Sequence, residues 1–266
     1  MGLASTRASG LKSQFGTMGK PYNAGIAAAN AIEACGLARR GFTSAVDGLG
    51  GPQGFVPAHH PQHDSSEAIL PDGSETSFMF ADVRHKLHAC CHGAHAMIEG
   101  LRNLVAAHDI TAQNLAALSI RVNPRWLKVC DIKAPRTGLE VKFSYVFLAA
   151  MVLHHIDTAA YQSYDDSICG NAGLIATASK ITVIGDEAIS DGAVNVSADT
   201  QTGVRHTTDF DLMDPIDLSV LGPRLVAKAS VLIGPARAEK IWESMDDLDS
   251  MPAAQMAGCL QPLKSA

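Results

Sequence analysis

An α+β fold is predicted by three features of the sequence. An alanine-rich helical stretch lies near the start, alternating apolar–polar runs are interleaved with helical periodicity through the middle, and helical periodicity returns at the end. That order lacks the regular strand–helix alternation of a doubly wound sheet. The 266 residues suffice for one large or two small domains with a real core. Apolar residues at 47% against 18% charged exclude a disordered chain. A net charge of −6 excludes broad nucleic-acid binding, which needs a basic face, but leaves room for a small anion held by local cations.

Residues 22–40 carry Ala24, Ala27, Ala28, Ala29, Ala31, Ala34 and Ala38, with Ile26, Ile32, Cys35 and Leu37 as an apolar face. Alanine is the best helix former, Arg39 and Arg40 suit the C-terminal dipole, and Gly41 supplies the stop, so a buried helix is expected. Thr43 or Ser44 is expected to cap a short helix ending at Gly48–Gly51. Residues 55–75, rich in Pro, His, Asp and Ser, read as a loop. A helix is expected over 93–107, where Met97, Leu101, Leu104 and Val105 recur at helical spacing. Residues 118–122 alternate as a strand that Asn123-Pro124 ends, and 139–154 read as one long apolar helix. Strands follow at 180–184 and 193–197, then helices at 223–233, 235–245 and 253–260, with Pro223 in a first turn. The expected organisation is a helical segment 1–45, an α+β domain 46–214, and tail helices 215–266 that return to pack on the first segment, since neither helical segment can bury its apolar face alone.

Six cysteines without a C-x-x-C pattern suit reduced thiols in a cytosol-like compartment. No apolar run has the length of a membrane span, and residues 1–10 lack the core of a secretory signal. A cytoplasmic protein is expected, with a mitochondrial one second, because Arg7 and Lys12 among serines faintly resemble a transit peptide. His85, His88, His92 and His95 are spaced as zinc ligands on one helix face would be, and His59, His60, His63 and Asp64 form a second cluster. Neither contains an H-E-x-x-H pattern, and Cys90-Cys91 precede the helix, so no metal is expected. Gly48, Gly50, Gly51 and Gly54 lack the Lys-Ser/Thr of a phosphate loop, and no cofactor is expected.

Three blocks, in order, resemble one family. The first runs from Ser9-Gly10-Leu11 through Phe15-Gly16-Thr17-Met18-Gly19-Lys20-Pro21 to Arg40-Gly41-Phe42-Thr43 and Gly51-Pro52-Gln53-Gly54-Phe55. The second is Lys86 through Cys90-Cys91-His92-Gly93-Ala94-His95, and the third is Thr137-Gly138-Leu139-Glu140-Val141-Lys142-Phe143-Ser144-Tyr145. Together they resemble the C-terminal part of the MmgE/PrpD family, which includes 2-methylcitrate dehydratase and cis-aconitate decarboxylase. The resemblance implies a large helical domain plus a smaller α+β domain. It further implies that the family's N-terminal Asp- and His-containing motif is absent from this chain.

The resemblance also implies a lyase acting on a citrate-like polycarboxylic acid. Such a site needs cations for the carboxylates and a base for the proton beside one of them. On this pattern Lys20 is a carboxylate clamp or proton donor, His95 an acid–base group, and Lys86 and Arg84 bind substrate. Tyr145 lines the site, and Cys91 stands where itaconate-forming decarboxylases carry histidine. That last feature favours dehydration over decarboxylation, while epimerisation or isomerisation of an acid needs only the proton-transfer half. Gly19 and Asn23 depart from the family's usual Thr and His, and Asn cannot relay a proton. Lys142 is expected to face solvent or pair with Glu140 or Asp157. Lys20, Lys86 and His95 are expected to converge on one cleft. The implied partners are the small polycarboxylic acid and either a second copy or a complementary N-terminal half, without nucleic acid or membrane. An inactive or partner-dependent half is the rival expectation.

Overall fold

The computed structural model describes residues 1–14, 17–60, 83–259 and 261. It has an α+β fold whose contacts divide into two compact units, Met1–Val83 and Arg84–Ala266. Most of the loop expected over 55–75 lies outside the described residues.

The first unit contains α1 (Gly2–Ser5), α2 (Gly19–Arg39) and α3 (Phe55–His59). Helix α2 is the alanine-rich stretch, and the chain leaves it through Gly41 at φ +85°. Arg7 pairs with Glu33, and Asn30 Nδ2 donates to Arg7 O at 2.9 Å, tying the leading segment to α2. Of its 21 residues α2 buries only Asn30 and Ala34. The helix expected after Ser44 is a run of turns instead. Asp47 Oδ1 accepts from Gly50 N at 2.8 Å, and such a local side-chain bond competes with helix formation.

The second unit is built on β1 (Leu115–Val122), β2 (Ile181–Gly185), β3 (Ala193–Thr200) and β4 (Arg205–Asp211), in the order β2-β1-β3-β4. β1 runs parallel to β2, with Leu118 opposite Ile181. β1–β3 and β3–β4 are antiparallel, with Ile120 opposite Val196 and Ala193 opposite Asp211. The expected strands at 118–122, 180–184 and 193–197 are thus present, two of them longer. β4, not foreseen, is an edge strand of Arg-His-Thr-Thr-Asp-Phe-Asp that is polar on both faces apart from Phe210. The helices are α4 (His95–His108), α5 (Leu127–Cys130), α6 (Gly138–Val141), α7 (Tyr145–Leu153), α8 (Ala172–Ala178), α9 (Leu218–Ile233), α10 (Pro235–Glu243) and α11 (Ala253–Cys259).

Helix α4 lies on β3 and β4, and Gly100 allows the approach. A Cβ there would sit 3.2 Å from both Phe210 Cβ and Val194 Cγ1. All nine residues of α7 are buried, between α4 and α8. The single helix expected over 139–154 is two, α6 and α7, because Ser144 is extended and caps α7 by accepting from Phe147 N at 3.3 Å. The break lets Phe143 O accept from Ile132 N at 3.2 Å, which stitches the 131–132 segment alongside. α9 starts before Pro223, at Leu218, because Asp217 caps it by accepting from Ser219 N at 2.7 Å. α9 and α10 pack on each other at Gly222, where a Cβ would lie 2.8 Å from Trp242 Cζ2. No helix among the described residues is long and apolar enough to cross a membrane.

Candidate active site

The segment from Lys86 to His95 enters α4 through a turn that the core holds from behind. Ala89 N donates to Thr158 O at 2.8 Å and Cys91 N to Lys142 O at 3.0 Å. Gly93 is required, since a Cβ there would meet the Trp126 ring at 2.3 Å. Its carbonyl accepts from the Tyr145 hydroxyl at 2.8 Å. Tyr145 is fully buried, burial raises its pKa, and its hydroxyl supports the turn from behind.

His95 is buried with both ring nitrogens committed. Nε2 accepts from His88 N at 3.2 Å, which leaves Nδ1 carrying the proton and donating to Cys91 O at 3.1 Å. Burial first, then His88, lowers its pKa to about 3. In this geometry His95 is neutral and braces the turn through both ring nitrogens. Cys90, also buried, is pushed up to about 12 by burial and then by Cys91, so it is held as a thiol. Cys91 is buried beside it.

A second buried network lies behind the turn. His88 Nδ1 accepts from the Thr158 hydroxyl at 2.7 Å, and Nε2 meets Glu99 Oε1 at 2.9 Å. Burial lowers the pKa of His88 against the opposing pull of Glu99, which fixes the neutral tautomer with its proton on Nε2. Arg224 from α9 contacts both Glu99 oxygens at 2.7 Å. Burial alone would raise the Glu99 carboxyl, but the bonds from His88 and Arg224 outweigh it and leave the pKa at about 2.

The front of the turn is basic. Lys86 is exposed, and its ammonium donates to Cys90 O at 3.3 Å. Lys142 is half-buried with its ammonium 4.9 Å from the centre of the Tyr164 ring. The pairing expected with Glu140 is not made, since Glu140 accepts from Arg136 N at 2.6 Å. Lys228 reaches across from α9 to the carbonyl oxygen of Lys86. Among the described residues no carboxylate forms an ion pair with Lys86, Lys142 or Lys228.

His92 is half-buried, within reach of the Lys86 charge and 5.3 Å from His95 between ring centres. Burial and then Lys86 lower its pKa, so it is a neutral imidazole at pH 7. Neither of its nitrogens makes a hydrogen bond among the described residues. Of the residues at the turn it is the one with the protonation state and the available lone pair of a general base.

The expected site residues therefore divide. Lys86, Cys91, His95 and Tyr145 belong to this turn and its support. Arg84 directs a guanidinium nitrogen to Met213 O at 3.2 Å. Lys20 lies in the first turn of α2, half-buried, in the first unit. His92, Lys142, Lys228 and Tyr164 were not singled out as site residues from sequence. His92 and Lys142 stood inside the motif blocks, whereas Lys228 and Tyr164 arrive from segments with no motif. Among the described residues no group of three His, Cys, Asp or Glu could hold a metal, and His63 and Asp64 of the second histidine cluster lie outside those residues.

The C-terminal domain model of the MmgE/PrpD family matches residues 88–212, from His88 in the turn to the residue after β4. No curated protein matches the chain.

Proposed function

With residues 88–212 belonging to the MmgE/PrpD family as its C-terminal domain, we propose that this chain is part of a lyase that dehydrates a 2-methylcitrate-like acid. Decarboxylation of a cis-aconitate-like acid is the second chemistry open to the same groups. The observation that carries the reading is a set of ammonium groups that, among the described residues, pair with no carboxylate, around one turn that also presents a neutral histidine. Lys86 and Lys142 bind substrate carboxylates, and Arg84, two residues before Lys86, is a further candidate cation. That binding lowers the energy of the enediolate formed when a proton leaves the adjacent carbon. His92 takes that proton, the carbon–oxygen bond breaks, and the hydroxyl departs as water once a general acid protonates it. Cys91, where the decarboxylases carry histidine, favours the dehydration.

The test is turnover on 2-methylcitrate and on cis-aconitate by the wild-type chain and by His92→Gln. Loss of a general base costs on the order of 10²–10⁴-fold in rate. A His92→Gln chain with undiminished turnover would remove His92 from the mechanism. A monodisperse chain that turns over neither acid would end the lyase reading for the chain alone.

A second reading is favoured by α2, which leaves Tyr22 66% and Ile32 76% exposed. Apolar helix faces of that kind mark an interface. On this reading the chain is partner-dependent, working with a second copy or a complementary helical chain. Light scattering separates the two, since a monomer with robust turnover would rule the partner out.

A further inference from the structure

We infer that α9 forms a wall of the proposed site and that Lys228 is its third cation, the residue that selects a tricarboxylate over a dicarboxylate. This deepens the carboxylate-binding reading and rests on it. Arg224 and Lys228 are one turn apart on α9 and so face the same way. One guanidinium nitrogen of Arg224 contacts both oxygens of the Glu99 carboxylate, whose side chain is 8% exposed, so this pair ties α9 to α4. One turn further on, the Lys228 ammonium reaches the backbone oxygen of Lys86, whose own ammonium contacts Cys90 O.

Two cations thus flank the stretch 86–90, and Lys142 approaches the same thiol from a third segment, since both Lys86 and Lys142 act on Cys90 electrostatically. Anchoring α9 does not need Lys228, because Arg224 already does it. A half-buried ammonium satisfied by one neutral carbonyl is underused, and burial together with the Lys86 charge lowers its pKa. Glu99, one turn of α9 away beside Arg224, is already engaged by His88 and Arg224. An arriving carboxylate relieves both the desolvation and the like-charge repulsion, and does so more as its own count of charges rises. Three ammonium groups from three segments match an acyclic acid with three carboxylates.

The experiment is calorimetric titration of the full chain with tricarballylate and with glutarate, which has the same carbon chain without the central carboxylate. Neither acid carries the hydroxyl that dehydration requires. Lys228→Gln should weaken tricarballylate roughly tenfold and leave glutarate within about twofold, with most of the affinity restored in Lys228→Arg. Lys86→Gln should weaken both. Lys228→Met, which keeps the apolar stem, stands in if the glutamine variant folds poorly. If Lys228→Gln or Lys228→Met binds both acids as wild type does, or weakens both in parallel, the inference is overturned while the site reading stands. If wild type binds neither acid, or Lys86→Gln weakens neither, the site reading falls and this inference with it.

Discussion

Helices α2 and α7 are both apolar-rich, yet they end in opposite environments. α7 places all nine of its residues in the core, while α2 buries two of 21. Composition alone does not separate them, because alanine and isoleucine promote burial only when a neighbouring element offers a matching face. α7 finds α4 and α8, whose small and branched residues close around it. α2 keeps Tyr22 and Ile32 exposed. The lesson is that an apolar helix in a sequence announces a demand for cover, and the partner that meets it can lie in another segment or another chain.

Mutation can break this contrast most forcibly in the core. Leu148→Ala on α7 should cost about 2–5 kcal/mol in urea denaturation, the range for deleting a fully buried leucine. Ile32→Ala on α2 should stay within about 0.5 kcal/mol, as exposed substitutions do. An Ile32→Ala loss matching that of Leu148→Ala would mean that α2 is covered in solution, and dilution should then abolish the loss.

A smaller effect concerns acid stability, and it sharpens the view that the second unit holds its histidines neutral. The folded pKa of His95, about 3, lies below its ordinary 6.5. The unfolded chain therefore binds more protons between these values, so stability is complete above pH 6.5 and drains away as pH falls towards 3. His88, lowered in the same direction, adds to the loss, and Glu99, held at about 2, adds to it below its ordinary 4.5. The charges facing this pair are Glu99, Arg102, Arg224, His92 and Lys86. His95→Asn should be less stable than wild type at pH 7 but show a shallower decline between pH 6.5 and 3 in thermal melts. An unchanged slope would show that His95 is not the titrating brace.

Much of this was legible in the sequence. The fold class, three of the four strands and the tail helices follow from periodicity and from Gly and Pro punctuation. The segment 88–212 matched by the family model contains the third motif block and the second from His88 onward. β4 escaped because an edge strand with one apolar residue carries almost no period-two signal. The split between α6 and α7 escaped because Lys-Phe-Ser fits a helix, and only the tertiary pairing of Phe143 and Ser144 with the 131–132 segment draws it open.

At the candidate site the motif blocks contain both His92 and His95, and spacing alone does not tell them apart. His95 looked catalytic by its place in the motif, yet both its nitrogens brace the backbone, a distinction set by hydrogen bonds that spacing does not encode. Lys228 was invisible because its partner, Lys86, is 142 residues away in the chain.

Amide hydrogen exchange with and without tricarballylate tests the central claim most directly, since one experiment follows the turn, α9 and α2 together. The account predicts slow exchange throughout α7 in both states. On adding the acid, protection should rise across residues 86–95 and in α9 around Lys228, and α2 should exchange faster than α7 in both states. Protection that leaves 86–95 untouched would contradict the assignment of this turn as the carboxylate-binding site.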